Sequence, residues 1–296
     1  MHDLDFTTLA KWVPDKNLLR QTFQSAACNS PATRFAASIQ HLHSLITVPG
    51  FCFMAGEEWG ISVVRAMNET GISNPDDKAV QQRASQIWDE YDLGGFDASR
   101  IDHFYEATGN AVTMATLPGR ENTHSALHNF LKTLIVQAWG AIEVLAEELW
   151  KESLLQKPSL DTQTSWTNTE RKLSGFSSRS KIANQYRFTF RQDNANILLL
   201  LDGSIFHSLA IVRNVIVHSN GVVDDDFVKD IAGYEVFPKT SPPTLLPLPE
   251  LQPFKSLKQG DAIQFTGKLA RDFIEPVPKL GFEIIKSIDE WLIRQP

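Results

Sequence analysis

Between Ser204 and Val217 the chain is almost wholly apolar, and three polar groups crowd its end: Arg213, Asn214 and His218. A permanently charged guanidinium, an amide and an imidazole are costly in such surroundings unless they are paired or used. Ile205, Leu209, Val212 and Ile216 recur at a 4-3-4 spacing, which is a helical stripe. The β-branched residues Val212, Val215, Ile216 and Val217 also suit a strand. The pattern runs for about four turns, however, which is longer than a usual strand. Ser219-Asn220-Gly221 follows it, and glycine supplies the left-handed residue that commonly closes a helix. The spacing predicts a buried helix from about Ser204 to about Ser219, with its chemistry at the C-terminal end.

On that helix Asn214 and His218 share a face, and His207 lies three turns earlier on nearly the same line. Arg213 points elsewhere, with a side chain long enough to wrap back. A histidine in the last turn meets the partial negative charge of the helix end. Beside an arginine it makes an acid/base and phosphate-binding pair.

Arg213-Asn214-x-x-x-His218, at the end of an apolar helix and followed by Ser-Asn-Gly and the acidic run Asp224–Asp226, resembles the R-x4-6-H motif of HEPN domains in its Arg-Asn-x-x-x-His form. The resemblance covers roughly residues 122–296. It implies an all-α helical bundle and a homodimer in which two motifs face each other across one composite site. It also implies a metal-independent endoribonuclease of bacterial defence, phage-defence or toxin–antitoxin type, with an antitoxin or activator as a further partner. By this likeness His218 is the general base or acid, Arg213 stabilises the phosphate and Asn214 positions it. RNA brings its own nucleophile, the 2′-hydroxyl, so no metal or cofactor is expected. A second class stays open: some proteins of this fold serve as non-catalytic dimerisation, RNA-binding or ligand-sensing modules.

At 296 residues the chain can bury a sizeable core in one or two domains. Its net charge is −7, so any RNA contact must be a local basic patch. Cys28 and Cys52 have neither metal-type nor disulfide-type spacing, and read as buried thiols of a reducing, cytoplasmic setting. The first residues, Met-His-Asp-Leu-Asp-Phe, lack the basic and apolar regions of a secretion signal. No apolar run reaches membrane-spanning length; Ile197–Leu201 stops at Asp202.

Residues 1–120 read as a separate helical region of unassigned role, and residues 121–296 as the HEPN-like domain, with the boundary at Leu117-Pro118-Gly119-Arg120. Helix starts are expected at Pro14-Asp15, at Ser30-Pro31 and at Asn74–Asp77, the last running to Tyr91; Pro49-Gly50, Gly71 and Gly94-Gly95 punctuate the rest. His41, His43 and His103 suit no shared metal. His124 and His128 are four apart, but Ser125 stands where a zincin needs glutamate, so structural or solvent-facing roles are expected.

The longest helix is expected over residues 125–156, with a broad apolar face. Glu143 lies within it. By the family likeness it orients Arg213; by its sequence alone it is a partly exposed helix glutamate, and both readings stay open. His207 either assists from one layer below or is a buried structural histidine. Residues 166–192 interleave basic residues with Trp166, Phe176, Tyr186, Phe188 and Phe190, which suits phosphate contacts and base stacking. Arg179, Lys181, Arg187 and Arg191 are the candidate RNA contacts; the competing reading packs the aromatics inward. Leu173–Ser178 reads as a loop. The proline-rich residues 238–253 read as an extended connector, and Ala262–Phe265 as a minor strand against Tyr234–Phe237. A final helical stretch from Lys268 to Arg294, interrupted at Pro276 and Pro278, closes the bundle.

Overall fold

A computed structural model describes residues 6–89, 121–160, 165–190, 195–235 and 245–294 of the chain. The fold is all-α. Its elements are α1 (Phe6–Ala10), α2 (Lys16–Leu19), α3 (Ala26–Thr70), α4 (Lys78–Asp89), α5 (Glu121–Gln156) and α6 (Asn168–Leu173). Then come α7 (Arg179–Phe190), α8 (Ala195–Leu201), α9 (Ser204–Ser219), α10 (Asp225–Asp230), α11 (Gly267–Ile274) and α12 (Val277–Arg294).

One apolar core holds the body together, and α5 runs through it. Leu131, Leu134, Ile135, Trp139, Ile142 and Leu149 of α5 are fully or almost fully buried, as the broad apolar face predicts. Leu9, Trp12, Phe35, Ile39 and Ile46 from the first half of the chain enter the same core as Phe206, Leu209, Phe282 and Ile285 from the second. Side chains from both sides of the expected domain boundary therefore share one interior, while the boundary residues themselves lie outside the described residues. Gly281 marks the closest approach: a Cβ there would sit 2.2 Å from the Phe35 ring.

Among the described residues the longest helix is α3, not α5: 45 residues against 36. The break expected at Pro49-Gly50 does not occur. Proline removes one backbone donor and strains the preceding turn. The flanks, though, are anchored in two cores, by Ile46 in the main one and by Ala66 in a satellite with Val80, Ala84 and Ile87 of α4. Helix α3 ends where glycine was expected to punctuate, at Gly71 with φ of 72°. The start expected at Ser30-Pro31 lies at Ala26 instead. There Asp289 of α12 accepts from the Gln24 and Ser25 amides at 3.1 and 2.6 Å, and Gln156 of α5 accepts from the Ala27 amide at 3.2 Å. These caps come from distant helices and leave no local signature. Cys28 lies buried in the first turn of this helix, and its thiol pKa is pushed up to about 12 by burial and then by Asp289.

Asp15 caps α2 as expected, accepting from the Asn17 amide, and α4 begins at Lys78 and runs past Trp88. The final stretch divides into α11 and α12 near Pro276. The minor strands pair differently from the expectation. Tyr234–Glu235 lies antiparallel to Leu245–Leu246, and Ala262 bridges Val222 instead. That second pairing fastens the chain leaving α9: Val223 N donates to Asp261 O at 2.8 Å, and Ile263 N to Gly221 O at 2.9 Å. Part of the proline-rich connector is a 3-10 helix, Pro249–Phe254. Among the described residues no helix is long and apolar enough to cross a membrane.

Candidate functional site

Helix α9 forms as the stripe predicts, over Ser204–Ser219. Its first half is enclosed: Phe206, His207, Ser208 and Leu209 are buried. Glu250 holds that half from the side, accepting from Ser204 Oγ at 2.8 Å and Ser208 Oγ at 3.0 Å, one turn apart on the helix. The second half emerges, with Asn214 and His218 exposed and Arg213 half-buried. The helix then closes on two left-handed residues, Asn220 at φ 51° and Gly221 at φ 81°. The Gly221 amide reaches back to Val215 O at 2.9 Å, satisfying a carbonyl that the helix end would orphan. Glycine is required here twice over, since a Cβ would lie 3.1 Å from both Lys132 Cε and Phe265 Cε2.

Asp224 begins α10 as expected from the acidic run. Its Oδ1 accepts from the Phe227 amide at 2.8 Å, and its Oδ2 accepts from Ser219 Oγ. The Ser219 hydroxyl and then the Phe227 amide hold this carboxyl below the usual carboxylate range. The capping bonds fold α10 back beside the end of α9, leaving a cleft of about 390 Å³. Asn214 and His218 line it together, with Ile211, Val215 and Phe227 as its apolar part. Asp224, Asp226, Lys229 and Asp230 supply the remaining charge, so the cleft is acidic on balance. Asp230 is exposed as a residue, but partial desolvation of its carboxyl and then the nearby Asp226 raise its pKa, while Arg179 opposes them.

Arg213 stands beside this cleft rather than on its lining. Its Nη1 donates to Asn214 Oδ1 at 3.1 Å, and its Nε is buried without a hydrogen-bond partner. Glu143 Oε1 on the adjoining α5 is likewise buried and unpartnered. Among the described residues no ion pair joins Glu143 to Arg213, so the orienting bond expected from the family likeness is not formed.

His207 sits apart from His218. The two are about 16 Å apart along the helix axis, from eleven residues at the helical rise, and the same helical line passes from core to surface between them. His207 is 3% exposed, and its Nε2 accepts from Arg179 Nη1 at 2.8 Å. Burial, then Arg179 and Arg187, bring its pKa down to about 3, so the ring is neutral. Its place is that of a structural acceptor.

The basic stretch is largely occupied inside the fold. Arg179 serves His207. Arg187 Nη2 donates to both oxygens of Asp202 at 2.8 and 2.7 Å, with the two side chains only 13% and 9% exposed. It is a buried ion pair and not an open RNA contact, because a guanidinium already paired with a desolvated carboxylate has little to offer a phosphate. Lys181 Nζ reaches Ser177 Oγ at 3.4 Å; Arg191 lies outside the described residues. The aromatics pack inward: Tyr186 stacks on Phe190, Trp166 meets Phe188 edge-on, and Phe176 leans on Trp150. His128 is structural, its Nε2 lying 2.9 Å from Ile263 O and 3.0 Å from the Phe265 amide.

Lys132 was not singled out by motif or composition. It falls on one helical line with His128, Ile135 and Trp139, and a lysine on an inward line was the available signal. Compared with family models, curated proteins and solved structures, the chain has no significant match.

Proposed function

We propose that this chain is a metal-independent endoribonuclease acting through Arg213, Asn214 and His218, and that it works as a homodimer. The observation carrying this reading is that Asn214 and His218 open together onto one cleft, with the Arg213 guanidinium bonded to Asn214 at its edge. A purely structural polar network would be satisfied internally. Here His218 is exposed and opens onto the cleft instead of being enclosed in such a network.

In the reaction the 2′-oxygen of the RNA attacks the adjacent phosphorus while a base takes its proton. The bond from phosphorus to the 5′-oxygen breaks as an acid protonates the leaving oxygen. Positive charge stabilises the crowded phosphorane between these events. The products are a 2′,3′-cyclic phosphate and a 5′-hydroxyl. One His218 serves one proton transfer, so two protomers separate the base from the acid. Arg213, at the edge of its own cleft, supplies charge to a phosphate held between the protomers.

A second reading, a non-catalytic dimerisation or sensing module, draws support from Asp224, Asp226 and Asp230 around the cleft, since carboxylates repel a phosphate chain. Cleavage of total and transfer RNA by purified protein separates the two. The enzyme reading expects cleavage that falls at least about 100-fold in both His218→Ala and Arg213→Ala, the usual scale for loss of a proton-transfer or charge-stabilising group. Intact, dimeric wild-type protein that leaves RNA uncut supports the module.

A further inference from the structure

Lys132 is 7% exposed, yet among the described residues it has no carboxylate partner. Its ammonium is satisfied by oxygens instead. Nζ donates to the backbone carbonyl of Asn220 at 2.7 Å, to Asn220 Oδ1 at 3.2 Å and to Asn129 Oδ1 at 3.4 Å. It also lies 6.0 Å from the centre of the Phe265 ring, within cation–π reach. Desolvation lowers the pKa of this group, so the fold holds an ammonium at some cost.

That cost is placed at one spot. Asn220 is the C-cap of α9 and the one non-glycine residue with positive φ among the described residues. Its carbonyl is one of the orphan acceptors of a helix end, where a cation is most favourable. Gly221 packs against the same lysine stem. His218 is two residues before the bonded carbonyl, in the turn this ammonium secures.

We propose that Lys132 is a positioning residue: through its bonds to Asn220 it fixes the last turn of α9, and with it the direction in which His218 enters the cleft. The catalytic part of this rests on the ribonuclease reading; the holding of the turn does not. Lys132 is not among the residues lining the cleft, and its hydrogen bonds go to Asn220 and Asn129 and not to His218, so it acts through the helix end.

Two measurements test it on the full chain. In wild-type protein the Lys132 ammonium is expected as a slowly exchanging signal in nitrogen-detected NMR, coupled across the hydrogen bond to the Asn220 carbonyl carbon; a rapidly exchanging, uncoupled ammonium overturns the proposal without any variant. Lys132→Met keeps the stem and removes the donors. It is expected to speed amide exchange at Ser219, Asn220 and Gly221 at least tenfold, with the circular dichroism spectrum and exchange along α12 unchanged. Unchanged exchange at residues 219–221 in a folded variant overturns it. Where wild type cleaves RNA, Lys132→Met is expected to lower kcat at least tenfold and leave KM within about twofold, with Lys132→Arg regaining part of kcat. A folded Lys132→Met that keeps full kcat refutes the link to His218. Wild-type protein that cleaves nothing refutes the ribonuclease reading, while exchange still decides the role of Lys132.

Discussion

Arg179 and His207 are joined by a 2.8 Å hydrogen bond from guanidinium to imidazole, and this bond turns Arg179 from a candidate RNA contact inward and gives His207 the structural one of its two expected roles. The arginine of a basic, aromatic-rich stretch serves the core, and the histidine beneath the motif stays neutral to accept from it. Its pKa of about 3 when folded lies well below the ordinary value of about 6.5. Between those values the unfolded chain binds a proton that the folded chain refuses. The stabilisation from this group is therefore complete above about pH 6.5 and is lost as pH falls below it, by up to about 1.4 kcal/mol per pH unit. Urea unfolding at pH 7.5, 6.0 and 5.0 is expected to show this slope in wild type and a shallower one in His207→Gln; equal slopes would refute it.

Arg187 and Asp202 form a desolvated pair between α7 and the turn before α9. Removing one partner strands the other charge. Arg187→Ala is expected to cost about 3–5 kcal/mol in chemical denaturation. The double variant Arg187→Met with Asp202→Leu is expected to recover most of that loss. An effect of Arg187→Ala on RNA affinity with no loss of stability would return this residue to the RNA-binding surface.

Gly281 leaves room for the Phe35 ring between α12 and α3. Gly281→Ala forces a carbon into that ring and is expected to destabilise by about 1–3 kcal/mol. Pairing it with Phe35→Leu relieves the overlap, so thermal melting of the double variant is expected to lie closer to wild type than that of Gly281→Ala.

Asp226 and Asp230 set the charge of the cleft that Asn214 and His218 share. If RNA enters there, their carboxylates oppose it. Asp226→Asn with Asp230→Asn is expected to tighten RNA binding several-fold at low salt, the gain shrinking as salt rises. Weaker binding in the double variant would mean that the carboxylates contact the ligand.

The elements most legible in the sequence are those specified locally. The stripe of Ile205, Leu209, Val212 and Ile216, with Gly221 after it, predicts α9 and its end closely, and Asp224 announces α10. The features that escaped are set by distant groups. Helix α3 starts at Ala26 because Asp289 and Gln156 cap it, and it passes Pro49 because both flanks are anchored. Helical geometry puts His207 and His218 on one line, but only packing decides that one is enclosed and the other open. The aromatics of residues 166–190 face inward because α5, α8 and α12 are there to receive them, which composition alone does not reveal. Lys132 is legible only as a charge on an inward-facing line; its acceptor lies 88 residues away.

The proposed reaction, metal-free attack by a 2′-hydroxyl governed by His218, is open to test with two matched oligonucleotides in EDTA. One is RNA; the other is 2′-O-methylated throughout. Wild-type protein is expected to cut only the first, leaving 2′,3′-cyclic phosphate and 5′-hydroxyl ends, and His218→Ala is expected to cut neither. Cleavage of the methylated strand, or undiminished cleavage by folded His218→Ala, would rule this reaction out.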